Sequence, residues 1–175
     1  MTSRVLLSAL PALLGALLLQ ATPASAQVGT TDLTCSGGAY QTWEPGLRLS
    51  NRRVTATNYT SYDTCTSNDT LVTSGVLVAT TELSTSCGGN LGPSETTVTW
   101  DDGSVSTFAL KGAGVDVING ARVFVSVGLV TGGRFQGDAV MMTQAMSPLD
   151  LTPCLYPSGL TALSGPSTLR LTRLF

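Results

Sequence analysis

Asp101 and Asp102 are the one adjacent pair of acidic side chains in the chain, and paired carboxylates are what acid–base hydrolysis of a glycoside requires. Such a pair must flank a cleft about 5–9 Å apart. Neighbours on a strand point to opposite faces, and Asp101-Asp102-Gly103 is also a turn sequence, with residue types that tolerate turn backbone. Turn chemistry accounts for both acids. Asp116, Asp138 and Asp150 do not form the D-x-D-x-D-G loop that holds calcium, so they read as solvated loop acids. Lys111, the only lysine, is the one candidate amine nucleophile. It lies in Leu110-Lys-Gly-Ala-Gly114, a loop following a strand, where an exposed lysine is ordinary. No serine stands in a G-x-S-x-G or S-x-x-K setting. The chain has no histidine, which removes Ser-His-Asp and Cys-His pairs, imidazole metal ligands and a histidine pH switch. No catalytic, cofactor-binding or metal-ligating residue is assigned, no cofactor is called for, and a non-enzyme is expected.

Four cysteines, Cys35, Cys65, Cys87 and Cys154, lack the C-x-x-C spacing of a zinc or redox site and read as two structural disulfides. Three pairings are possible. Hairpin logic favours Cys65–Cys87, closing a short loop, with Cys35–Cys154 tying the first strand to the last segment. In that arrangement Tyr40, Trp43 and Tyr156 gather near one end, and exposed rings there would suit a polysaccharide or a protein partner. The competing reading is that Trp43 plugs the interior as core. Asn58-Tyr-Thr60 and Asn68-Asp-Thr70 match the glycosylation sequon, but such matches arise by chance in a chain this rich in threonine.

The elements that position these residues are strands. Beyond residue 26 the chain carries 24 threonines and 15 serines in 149 residues and a single lysine. Threonine and valine favour the pleated strand surface, while the best helix formers, Ala and Leu, are concentrated before residue 26. Glu95–Trp100 and Val105–Leu110 alternate around Asp101-Asp102-Gly103-Ser104, which predicts a hairpin with a two-residue type I′ loop, Trp100 opposite Val105 and Val98 on the same face. Val115–Ile118 and Ala121–Val130 flank Asn119-Gly120 and predict a second hairpin, with Ala121, Val123, Val125, Val127 and Leu129 on its inward face. Weaker strands start at Leu47 and Val54, run over Leu71–Glu82 with a bend at Ser74-Gly75, over Gly137–Met146, and over Leu160–Leu163 and Leu169–Leu174. Eight to ten short strands and no helix predict an all-β fold, an antiparallel barrel or a β-sandwich, with an immunoglobulin-like sandwich as the alternative.

Residues 1–26 read as a cleaved secretory signal. Arg4 supplies the positive start, Val5–Leu19 is a nearly unbroken apolar run, and Ala24-Ser25-Ala26 is a small-x-small cleavage site. The apolar run is shorter than the roughly 20 residues a spanning helix needs, so no membrane span is expected after cleavage. Residues 27–175 then form a single secreted β domain. Its formal charge is 8 − 11 = −3 once Arg4 is removed, with no basic footprint for nucleic acid.

Several segments together resemble small secreted proteins of high-GC, Streptomyces-like actinobacteria, a group of unassigned function. These are Cys35-Ser-Gly-Gly38, Trp43-Glu-Pro-Gly-Leu47, Thr97-Val-Thr-Trp-Asp-Asp-Gly103 running into Ser106-Thr-Phe108, and Gly132-Gly-Arg-Phe-Gln-Gly-Asp138. The resemblance implies bacterial export and a β fold and carries over no functional residue. Gly132–Asp138 also looks like the bulged strands of calycin-type barrels, which implies a barrel with a small internal or rim pocket. The expected function is a secreted, disulfide-stabilised binding or structural protein whose partner is a protein, a cell-envelope polysaccharide or a small ligand. The alternatives are a secreted protease inhibitor presenting Pro153-Cys154-Leu155-Tyr156-Pro157, or a carboxylate-dependent hydrolase.

Overall fold

The computed structural model describes residues 29–68, 71–89, 92–118, 121–146 and 151–174; the segment 1–26, read as an export signal, lies outside them. The β-favouring runs form eight strands: β1 (Thr30–Leu47), β2 (Arg52–Ser67), β3 (Gly75–Thr85), β4 (Ser94–Trp100), β5 (Val105–Ile118), β6 (Ala121–Gly133), β7 (Ala139–Met146) and β8 (Leu160–Arg173). Each pairs antiparallel with its sequence neighbours, and β1 pairs with β8, so the sheet closes into a barrel. Closure leaves no unpaired edge and excludes the sandwich arrangements. Eight strands enclose an interior just wide enough for side chains or one small ligand. Several strands are longer than expected: β5 joins two expected strands through Lys111–Gly114, which reads as a loop. Thr30–Leu47, with Gly37-Gly38 and Pro45 inside it, does not read as a strand, and Leu160–Leu163 and Leu169–Leu174 belong to one continuous β8. Among the described residues the only helical piece is a 3-10 turn at Thr152–Leu155.

The lumen is layered. At one end Leu33, Tyr62, Leu77, Val98, Trp100, Phe108, Leu169 and Leu171 form an apolar layer in which each is 2% exposed or less. At the other, Trp43, Leu47, Val54, Ala56 and Leu160 pack around Cys87 and Cys154. Between the two apolar layers the strands turn Gln41, Thr60, Thr96, Ser126, Gln144 and Ser167 inward, all buried. An apolar floor and an apolar plug therefore bracket a polar waist.

Both cysteine pairs differ from the expectation. The disulfides are Cys35–Cys65 and Cys87–Cys154. Cys35 lies directly opposite Cys65 in the β1–β2 register, with Cα atoms 4.0 Å apart. Cys65 sits near the β2–β3 connection, its N–H bonded to the Thr73 carbonyl, while Cys87 follows the far end of β3 and bonds the Arg48 carbonyl. The whole length of β3, at about 3.3 Å per residue, separates the two cysteines that the short-loop argument would join. Cys154 on the 3-10 turn crosses to Cys87 and staples the β7–β8 connection over the plug.

Two faces are also corrected. The β4–β5 connection is a three-residue loop: Trp100 pairs with Ser104 through a 2.8 Å N–H···O bond, Gly103 N–H closes onto the Trp100 carbonyl, and Gly103 alone has positive φ, +81°. This is a type I turn with a glycine bulge. The extra residue places Thr99, not Trp100, opposite Val105. Ser106 therefore faces the lumen and Val105 faces out, as a one-residue slip in register demands. On β6 Phe124, Ser126 and Val130 are buried; of the expected face, Val123 is buried too, Val125 is half-buried, Val127 and Leu129 are 47% and 44% exposed, and the Ala121 side chain lies outside the described residues. Aliphatic alternation misleads here because the lumen side passes the polar waist and Gly128, where a Cβ would collide with the Ala109 carbonyl. The hairpin itself has the expected register, Ile118 opposite Ala121; Asn119 and Gly120 lie outside the described residues.

Candidate functional site

The three aromatic residues do not present one exposed surface, because Trp43 is core. Tyr40 is half-exposed on the outer wall, Trp43 is 4% exposed inside the plug, and Tyr156 is exposed on the β7–β8 connection. Cys154, two residues before Tyr156, is bonded to Cys87 and packs with Trp43 in the plug. Register instead sets Tyr40 opposite Tyr59 and Tyr59 opposite Val78 across the outer face of β1, β2 and β3. The segment Pro153–Pro157 is anchored by Cys154 and by the Arg48 guanidinium, which donates to the Pro157 carbonyl. Leu155 and Tyr156 project from it, but most of the segment is a 3-10 turn.

The acidic candidates hold turns. Asp101 accepts bonds from the Thr73 N–H and hydroxyl, tying the β4–β5 loop to the segment before β3. The Thr73 hydroxyl is the main reason its carboxyl lies below the usual range. Asp102 accepts from the Ser104 hydroxyl, at 2.6 Å, and from the Ser104 N–H, and pairs with Arg134. Those contacts, the Ser104 hydroxyl first, hold its carboxyl low as well. Two exposed carboxylates kept ionised by turn donors do not make a general acid. Lys111 is exposed. The side chain of Asp116 and the whole of Asp150 lie outside the described residues. Asp138 is buried at the apolar-floor end of the barrel. Burial is the main cause raising its pKa, Asp32 adds to it, and Arg173 opposes it. Arg173 pairs with buried Asp32 at 2.6 Å.

The Gly132–Asp138 stretch is structural in the same way. It forms the β6–β7 turn, with positive φ at Gly133, Phe135 and Gly137. It sets Phe135 edge-on to Trp100, ring centres 5.8 Å apart. The Trp100 indole N–H donates to the Ser106 hydroxyl at 2.9 Å, and that hydroxyl donates to the Arg134 carbonyl at 2.6 Å. One buried serine thus links the strand hairpin to the turn that closes the floor.

The built cavity lies at the waist. β3 and β4 pair only through Gly75–Leu77 with Trp100–Val98, after which the two strands part and open the wall. The opening leads into a cavity of about 220 Å³ lined by Gln41, Ala56, Asn58, Ala79, Leu83 and Thr96, with Glu82, Pro93, Ser94 and Glu95 around the mouth. A smaller recess of about 70 Å³ shares Asn58, Ala79, Ser94 and Thr96 and continues inward to Leu110, Ser126, Met142 and Gln144. Its polar floor is a closed ring. The Thr60 hydroxyl donates to Asn58 Oδ1 at 2.8 Å, Asn58 Nδ2 donates to Gln144 Oε1 at 3.4 Å, and Gln144 Nε2 donates back to the Thr60 hydroxyl at 3.2 Å. Asn58 is therefore a lumen residue, whatever its sequon. Above the ring, Gln41 Oε1 and Thr96 Oγ1 are buried without a hydrogen-bond partner in the protein, at residue exposures of 3% and 9%. A buried polar atom left unpaired costs about 1–3 kcal/mol, which a polar guest would offset. Beyond the waist, in the apolar floor layer, burial pushes the Tyr62 phenol up to about 12 against the partly opposing Ser167 hydroxyl.

Of these polar lumen residues the sequence marks only Asn58 and Thr60, as the two ends of a sequon. Neutral Gln, Asn and Thr carry no motif, and the one available signal was polar residues on alternating strand positions that otherwise carry core. The chain matches no protein-family model, and no significant match to it was found among the curated proteins or the solved structures compared.

Proposed function

We propose that this protein is a secreted, non-catalytic binding protein that holds a small molecule in the waist cavity, entered between β3 and β4. The observation that carries this reading is the pair of unpartnered buried polar atoms, Gln41 Oε1 and Thr96 Oγ1, on the wall of a cavity with a fixed polar floor. A rigid barrel with a small number of convergent polar groups in an otherwise apolar pocket is the usual construction of a ligand site. Two disulfides, Cys35–Cys65 and Cys87–Cys154, brace the scaffold at the floor and the plug, which fits a protein that works in an oxidising exterior. The carboxylates at Asp101 and Asp102 serve turns, which favours binding over hydrolysis.

Amide chemical-shift mapping with a library of compact fragments tests this reading. Shifts clustered on residues 58, 79, 96 and 144, and lost in Ser94→Trp, which blocks the mouth from an exposed position, are the expected result. Fragment binding that maps elsewhere, or that Ser94→Trp leaves unchanged, overturns it.

A further inference from the structure

The walls of the waist cavity carry enough chemistry to name the kind of molecule that fits them. Its volume is about 220 Å³. It falls below the ~300–1,000 Å³ of pockets for drug-sized ligands, so the guest is compact. The groups that await a partner are an amide end and a hydroxyl, on Gln41 and Thr96. A hydroxyl on the guest both donates and accepts. It serves the threonine in either role and the amide in either orientation, whereas an ammonium only donates and a carboxylate only accepts.

Charge narrows the choice further. The inner lining, Gln41, Ala56, Asn58, Ala79 and Thr96, is wholly uncharged. An ion moved there would surrender its water to neutral groups, which is costly without a counter-charge. The charged groups of the lining are Glu82 and Glu95 at the mouth. Glu82 faces Arg53 at 3.7 Å in a solvent-exposed pair. Among the described residues no lysine or arginine lines the cavity to receive an anion, and the acids at the rim repel one. Ala56, Ala79 and Leu83 offer an apolar surface for the C–H face of a ring.

We infer that the cavity takes a compact, uncharged, hydroxyl-rich molecule, a monosaccharide or cyclic polyol; this rests on the binding role proposed above. The guest's hydroxyls bond Gln41 and Thr96, its C–H face lies on Ala56 and Ala79, and the Asn58–Thr60–Gln144 ring keeps the floor in place.

Titration calorimetry and saturation-transfer NMR on the oxidised protein test this with four sets of probes: glucose, galactose, N-acetylglucosamine and myo-inositol; galacturonate and gluconate; agmatine and putrescine; and indole and cyclohexanol. The expected result is binding by at least one neutral hydroxylated probe. Thr96→Val and Gln41→Leu each weaken it about tenfold, the loss of one hydrogen bond of ~1.4 kcal/mol, and Ser94→Trp, remote from the core, abolishes it. Galacturonate and gluconate bind at least tenfold more weakly than their neutral counterparts. Binding confined to the anionic, cationic or apolar set, and lost in Ser94→Trp, overturns the neutral-polyol assignment while leaving the cavity reading in place. Binding by no probe, or binding indifferent to Ser94→Trp, overturns both.

Discussion

Side chains at the turns of this barrel differ in how far they leave water, and the acids Asp102 and Asp138 show what the difference costs. Asp102 is held by two serine contacts and Arg134 and stays ionised. Asp138 is 4% exposed, and its Oδ2 has no partner. Burial, with Asp32 adding and Arg173 opposing, raises its folded pKa above the ordinary 3.8. Below pH 3.8 the carboxyl is protonated in both folded and unfolded chains, and it costs nothing. As pH climbs from 3.8 through the folded value, the unfolded chain ionises first, so stability falls and the cost is complete above that window. Asp138→Asn removes the cost: its Tm is expected to exceed that of the wild type at pH 7, with the advantage gone at pH 3. Thermal melts at the two pH values check this, and a wild-type advantage at pH 7 would mean that the attraction of the nearby Arg173 charge outweighs burial.

Elements are joined unequally around the barrel. β3 and β4 share three residue pairs, against six or more at every other seam, and the cavity mouth follows from that weak seam. The disulfides restrain the ends on either side of it. In the chain-entropy model, closing 30 residues between Cys35 and Cys65 stabilises by about 3.6 kcal/mol, and closing 67 between Cys87 and Cys154 by about 4.4 kcal/mol. Replacing either pair by alanine is expected to lower Tm on the order of 10 °C, with the Cys87/Cys154 double variant the lower of the two. Melts of both variants test the order. A loss of only a degree or two in either would mean that the strand pairing alone fixes that end.

At the scale of the whole molecule, stability depends on a contact between the two ends of the domain. β1 accepts β2 on one side and β8 on the other, so the lumen exists only when the last strand has arrived. A chain ending at Gly159 would leave β1 and β7 as open edges and uncover Leu33 and Val140, which pack with Leu169 and Leu171 of β8. Open edges beside exposed core are a template for aggregation. This truncation is expected to accumulate as insoluble protein and, when refolded, to lack the near-ultraviolet signal of a packed Trp100. A soluble truncation with that signal intact would show that seven strands close without the eighth.

Sequence by itself determined the class of structure. Threonine and valine fit a pleated surface, an Asp-Asp-Gly and an Asn-Gly turn mark two hairpins, and four cysteines without metal spacing make two bridges; all of these are local properties of neighbouring residues. What the tertiary structure decided was register and closure. Whether Ser106 or Val105 faces in turns on one extra loop residue, and whether Cys35 meets Cys65 turns on a strand concealed by Gly37, Gly38 and Pro45. The waist was invisible for the same reason. Gln41, Asn58, Thr96 and Gln144 come from four strands, and only closure of the barrel brings neutral side chains so far apart in the chain to one buried place.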